Sequence, residues 1–136
     1  MEIIDFRFCK LCGSVQGIQN HHVIFRSQCK QLENCELNQV DLCFSCHDFL
    51  HHNRKGFELD YALKKEFLSN IEMLFLGKAF TLEEIREYLK INYNAAYKLS
   101  KNMKGEKDRY TRDSIILACM GGKMPQQRYE EAKKKK

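Results

Sequence analysis

The 136-residue sequence contains no long, uncharged apolar run. A bilayer-spanning helix needs about 20 such residues, so a membrane is excluded as partner. An apolar leader is missing too. Met1 to Phe8 carries Glu2, Asp5 and Arg7 where a secretory signal would place its apolar core. There is no internal repeat. The seven cysteines are an odd number, and four of them fall into two C-x2-C pairs rather than scattered positions, which argues against a secreted disulfide scaffold. The expected compartment is a reducing cytoplasm, in the bacterium or the host cell.

The chain is long enough for one domain, or for two small modules that each need help to stay folded. Its net charge of +5 is uneven. Residues 1–56 hold six basic and six acidic side chains, whereas residues 57–136 hold seventeen and twelve. Within 90–128 the balance is nine to three. A neutral half joined to a basic half points to an anionic polymer, with nucleic acid the usual one.

The hooks C9-K-L-C12 and C43-F-S-C46 let two tight turns offer four thiolates to one ion. Such a site, with Cys9, Cys12, Cys43 and Cys46, holds structural zinc and leaves no open position. Zinc then supplies a cross-link that a thin core cannot. Cys29, Cys35 and Cys119 lack this spacing and read as ordinary small side chains.

The histidines are left over. Asn38 to Leu42 alternates as a half-buried strand does, His22 to Phe25 reads as a short strand, and a helix runs from Cys43 to about Asn53, ended by Gly56. On that helix His47 and His51 share one face. His21 and His22, adjacent in a strand, point to opposite faces and cannot share one role.

These residues carry a resemblance to the HNH endonucleases, the ββα-metal nucleases. C9-x2-C12, His21-His22-Val23-Ile24, Asn38, L42-C43-x2-C46-H47 and His51 follow the zinc-containing branch of that family over residues 9–52. The resemblance implies His22 as general base, with Asn38 bracing the hairpin loop and helping to orient it. It implies His21, His47 and His51 as ligands of one catalytic divalent ion (Mg2+, Mn2+, Ni2+ or Zn2+). Many members carry Asp at the His21 position, and a three-imidazole site is closer to the bacteriocin-type branch. The implied products are 5′-phosphate and 3′-hydroxyl ends. The chemistry is sound: a neutral imidazole of pKa about 6.5 accepts a proton from water, and a partly hydrated ion supplies positive charge to the phosphate.

Beyond residue 56 the pattern is helical. Phe57 to Leu76 places apolar residues at 59, 63, 67, 71, 74 and 75, with Gly77 as C-cap, and reads as a spacer over 57–77. Thr81-Leu-Glu-Glu84 is a capping box stapled by Phe80 and Ile85. A helix 82–89, a break at 90–92, a helix from Tyr93 or Asn94 to Met103, and a third over 111–120 match a helix-turn-helix. This 78–122 module also looks similar to excisionase-type or MerR-type domains. Asn94, Tyr97, Lys98, Lys101 and Asn102 would face DNA, while Lys104, Lys107, Arg109 and Arg112 would contact its backbone. The tail 123–136 reads as disordered.

The expected fold class is α+β: a zinc-braced nuclease module over 1–56, then a mainly helical half. The expected function is a phage- or homing-type HNH endonuclease acting on double-stranded DNA. The alternatives are a zinc-braced, non-catalytic DNA-binding regulator, and a nuclease whose C-terminal half docks a packaging or recombination protein.

Overall fold

A β-hairpin and a helix organise the first half of the chain. A computed structural model describes residues 7–135; residues 1–6, including Glu2 and Asp5 of the segment read for a leader, and Lys136 lie outside the described residues. Strand β1 (Ile18–His22) pairs antiparallel with β2 (Gln39–Cys43), placing His21 opposite Val40 and His22 opposite Gln39. Two short 3₁₀ turns, Lys30–Leu32 and Glu36–Asn38, lie between them. Helix α1 (Phe44–His52) follows β2 directly, and the Cys43 sulfur accepts the Cys46 N–H at its start.

The strand expected over 22–25 starts four residues earlier, at Ile18, and ends at His22, where it was expected to begin. Val23 and Ile24 continue inward as buried core residues. The Ile24 main chain is paired by the Asn38 side chain instead of by a strand.

Helix α2 (Gly56–Leu74) buries Leu63, Phe67 and Ile71 along one stripe. Gly56 does not terminate α1 but opens α2. A Cβ there would stand 2.2 Å from the Leu50 carbonyl oxygen, so only glycine lets the two helices meet this closely. Nor is Gly77 the C-cap. Phe75 holds that place, and the Arg112 guanidinium donates to the Phe75 and Glu72 carbonyls left open at the helix end.

Strand β3 (Ala79–Thr81) leads into α3 (Leu82–Leu89), whose capping box forms in both directions. Asn92 caps α4 (Tyr93–Ser100) by accepting the Ala95 N–H at 2.8 Å. This helix ends at Ser100, three residues short of the expected Met103. Strands β4 (Gly105–Glu106) and β5 (Arg109–Thr111) follow, then α5 (Arg112–Cys119). A three-stranded sheet in the order β3-β5-β4 thus frames the two-helix unit.

The tail expected to be disordered forms α6 (Pro125–Lys134), which lies on α2. Tyr129 stacks on Tyr61 with ring centroids 4.4 Å apart, and the Tyr61 hydroxyl donates to Gln126. Arg128 donates to the Met120 and Gly121 carbonyls. The lysines at its end hid a helix with one aromatic anchor. Among the described residues no helix is long and apolar enough to cross a membrane. The fold is α+β, and its buried residues form one cluster, running from Leu32 and Leu42 through Phe67 and Ile71 to Ile85, Leu99 and Ile115.

Candidate metal centre

The hooks meet at the base of the hairpin. The Cys9–Ser14 turn is closed by Gly13 N–H to Cys9 O and Cys9 N–H to Ser14 O, both 2.8 Å. Lys10 N–H to Asp41 O, at 2.9 Å, ties this turn to β2. The sulfurs of Cys9, Cys12, Cys43 and Cys46 all lie within 4.8 Å of one another. Cys12 and Cys43 sulfurs stand 3.6 Å apart, far beyond a disulfide bond. Four sulfurs about 2.3 Å from one tetrahedral ion would be about 3.8 Å apart, so the group fits a structural metal such as zinc. Electrostatics agrees. Burial opposes ionisation of Cys9, yet the N–H groups of Cys43, Cys12 and Leu11 outweigh it and bring the thiol down to about 6. Burial and the three neighbouring sulfurs push Cys46 up. Four thiols crowded together share out their protons unequally, and a divalent cation removes that conflict.

A second group lies on the hairpin's other flank. His21 sits on β1, and His47 and His51 lie one turn apart on α1. Their ring centroids are 5.1, 5.3 and 4.7 Å apart in the pairs 21–47, 21–51 and 47–51. One nitrogen from each lies within 4.8 Å of the others. The Nε2 atoms of His47 and His51 are 3.1 Å apart, near the roughly 3.3 Å that two nitrogens bound tetrahedrally at about 2.0–2.1 Å would show. His47 Nδ1 donates to Gln19 Oε1 at 2.6 Å, which fixes the proton on Nδ1 and leaves Nε2 free to bind. His21 is 2 % exposed, and its Nε2 is buried with no partner. Burial, then the neighbouring His47 and His51, hold its pKa down to about 3, while burial lowers those of His47 and His51 too. All three rings are therefore biased toward the neutral form that binds metal.

The neighbouring wall is built by Phe25, whose ring meets His21 edge-on at 5.8 Å and His51 at 5.2 Å. Behind Phe25, the buried Lys64 ammonium lies 3.8 Å from the ring centroid and is paired with Asp60. Next to His51 is a cavity of about 350 Å³ lined also by Asp60, Arg128 and Lys135. Two of these residues come from the tail that the sequence left unstructured.

His22 is separate. The Glu33 carbonyl can only accept, so the 2.8 Å contact puts the ring proton on Nε2 and leaves Nδ1 as the basic nitrogen. Gln39 Nε2 donates to the same carbonyl at 2.9 Å. Asn38 is fully buried. It accepts from Ile24 N–H at 2.7 Å and donates to the Ile24 and Leu32 carbonyls at 3.0 and 3.2 Å, so it braces the segment just after His22 and the turn that leads to Glu33.

In the C-terminal half, Asn94, Tyr97, Lys98, Lys101 and Asn102 are exposed on or just after α4, as are Lys104, Lys107 and Arg109 beyond it. Tyr97 stacks with exposed Tyr93 at 6.2 Å and carries Lys101 over its ring at 5.1 Å. Arg112 is not among them, since it caps α2. Sequence reading missed Gln19, although the two-residue period of a strand places it on the face of His21. It also missed the Glu33 carbonyl, which leaves no mark in side-chain chemistry.

Searches against family models, curated proteins and solved structures return no match.

Proposed function

We propose that the protein is a metal-dependent endonuclease of the HNH type that hydrolyses phosphodiester bonds in double-stranded DNA. The observation that carries this reading is the divided histidine set. Three imidazoles converge, one of them with a buried, orphaned Nε2, while the fourth is held apart with its proton fixed by a carbonyl. A purely structural zinc site needs four closed ligands, and three leave a position open.

His21, His47 and His51 would hold the ion. When bound, it supplies positive charge to the non-bridging and leaving oxygens of the phosphodiester. Gln19 keeps His47 in the binding tautomer. His22 accepts the proton of the attacking water on Nδ1, and the Glu33 carbonyl stabilises the imidazolium that results. Asn38 holds the two segments that aim this ring. The exposed, basic face of α4, with Tyr93, Tyr97, Lys98 and Lys101, supports DNA as partner, since it offers phosphate contacts and base-edge donors on one helix.

The test is nicking of supercoiled plasmid against divalent-ion concentration. Wild type is expected to cut with manganese or nickel at least as well as with magnesium, which prefers oxygen ligands. A wild type that cuts with none of these ions overturns the reading in favour of a DNA-binding regulator.

A further inference from the structure

The two halves meet along a seam, and the seam is hollow. The 3₁₀ turn Lys30–Leu32 packs beside α4, and the Cys35 thiol donates to the Leu89 carbonyl at 3.2 Å. Beside these contacts lies a cavity of about 270 Å³. Lys30, Glu33 and Asn34 line it from the nuclease-like half, and Lys90, Asn94 and Lys98 from the helical half.

Its charge is one-sided. Three ammonium groups share the wall with one carboxylate, and none of the three lysines is ion-paired among the described residues. A concave wall of one sign focuses its potential and concentrates an ion of the other sign. The amides of Asn34 and Asn94 add neutral donors able to hold an oxyanion. This chemistry suits a phosphate.

The same wall reaches the candidate base. Glu33 lines the cavity while its main-chain carbonyl holds His22 Nε2 and Gln39 Nε2. Leu32, one residue earlier, is held through its carbonyl by Asn38. An anion gripped between Lys30 on one side and Lys90 and Lys98 on the other therefore fixes the segment that aims His22.

We infer that this seam is a second phosphate site, which binds a nucleic-acid backbone phosphate away from the three-histidine centre and thereby positions His22. The second half of that statement rests on the nuclease reading; the first does not. Lys30 and Lys90 act as positioning residues, through Glu33.

The test uses the full-length protein with Lys30 and Lys90 both changed to glutamine, leaving Lys98 on the α4 face in place. A Lys65→Gln/Lys133→Gln variant serves as the control for charge loss elsewhere. Binding to a labelled mixed-sequence duplex is followed across a salt series without added divalent ion. The seam variant should show a log–log salt slope shallower by about one, the loss of one neutralised phosphate, while the control keeps the wild-type slope. Single-turnover cleavage at saturating duplex should then fall at least tenfold with the thermal midpoint unchanged. A seam variant with the wild-type slope overturns the phosphate site. A shallower slope with an unchanged rate keeps the site and overturns its link to His22. If wild type does not cut at all, the nuclease reading fails, and the slope alone still decides the seam.

Discussion

At the scale of single residues, the proposed nuclease reading divides His21, His22, His47 and His51 into three metal holders and a base. His22→Ala should abolish cleavage while leaving zinc content, fold and DNA affinity near wild type, because a general base acts only in the proton transfer. His47→Ala should also abolish it, yet added metal should restore part of the rate, since that residue acts through binding. Nicking against metal concentration for both variants separates the roles; recovery of the His22 variant by metal would contradict them. His21 gives a pH dependence whose sign is fixed. Unfolded, a histidine takes its proton near pH 6.5, whereas buried His21 takes it only at about 3. Between those values the unfolded chain binds more protons, so metal-free protein should gain stability as pH rises from about 3 to about 6.5 and level off above. Thermal unfolding at a series of pH values measures this, and His21→Asn should flatten the slope. Lys64 makes a contrasting case. It is 1 % exposed, paired with Asp60 and laid on Phe25. Asp60→Asn leaves that charge uncompensated and should cost about 3 kcal/mol, whereas Lys64→Met keeps the volume and should cost less than about 1 kcal/mol. Denaturant titration of the two variants distinguishes a charge effect from a packing effect.

At the scale of elements, each short helix depends on how its ends are satisfied. Thr81 caps α3 by accepting the Glu84 N–H while Glu84 returns the contact, so Thr81→Ala should lower stability by about 1 kcal/mol in denaturant titration. That capping box was legible in the sequence, as were the Cys hooks and the four-residue spacing of His47 and His51. Each is a local pattern in which side-chain type and spacing alone set the geometry. What was not legible depends on the main chain or on distant partners. The Glu33 carbonyl that holds His22 belongs to a residue whose side chain carries no hint of the role. Strands β3 to β5 are two or three residues long, too short for any alternation to register. Gly56 read as a stop because glycine breaks helices, whereas here its missing Cβ lets α2 begin against the Leu50 carbonyl. Helix α6 looked like a solvated lysine tail because its anchor is one tyrosine, and the ring that receives it lies 68 residues earlier, at Tyr61.

At the scale of the molecule, one shared cluster of buried side chains holds the two halves together, and a metal such as zinc on the four cysteines would brace the first. Cys43→Ser removes one of four ligands and should cost the zinc and the fold of the first half, seen as loss of metal by mass spectrometry and of ellipticity by circular dichroism. A zinc-free chain with native ellipticity would contradict that account. Because the second half shares the cluster, its melting should shift with the first rather than appear as a separate transition. The contact between the Cys35 thiol and the Leu89 carbonyl has a further consequence. It lies at the seam, where a flexible tether would otherwise let the two halves wander relative to each other. On the proposed nuclease reading, halves held there would work as a ruler. A nuclease built this way would break each strand at one set distance from its recognition sequence, and lengthening the DNA between the two by a base pair would move the cut by the same step.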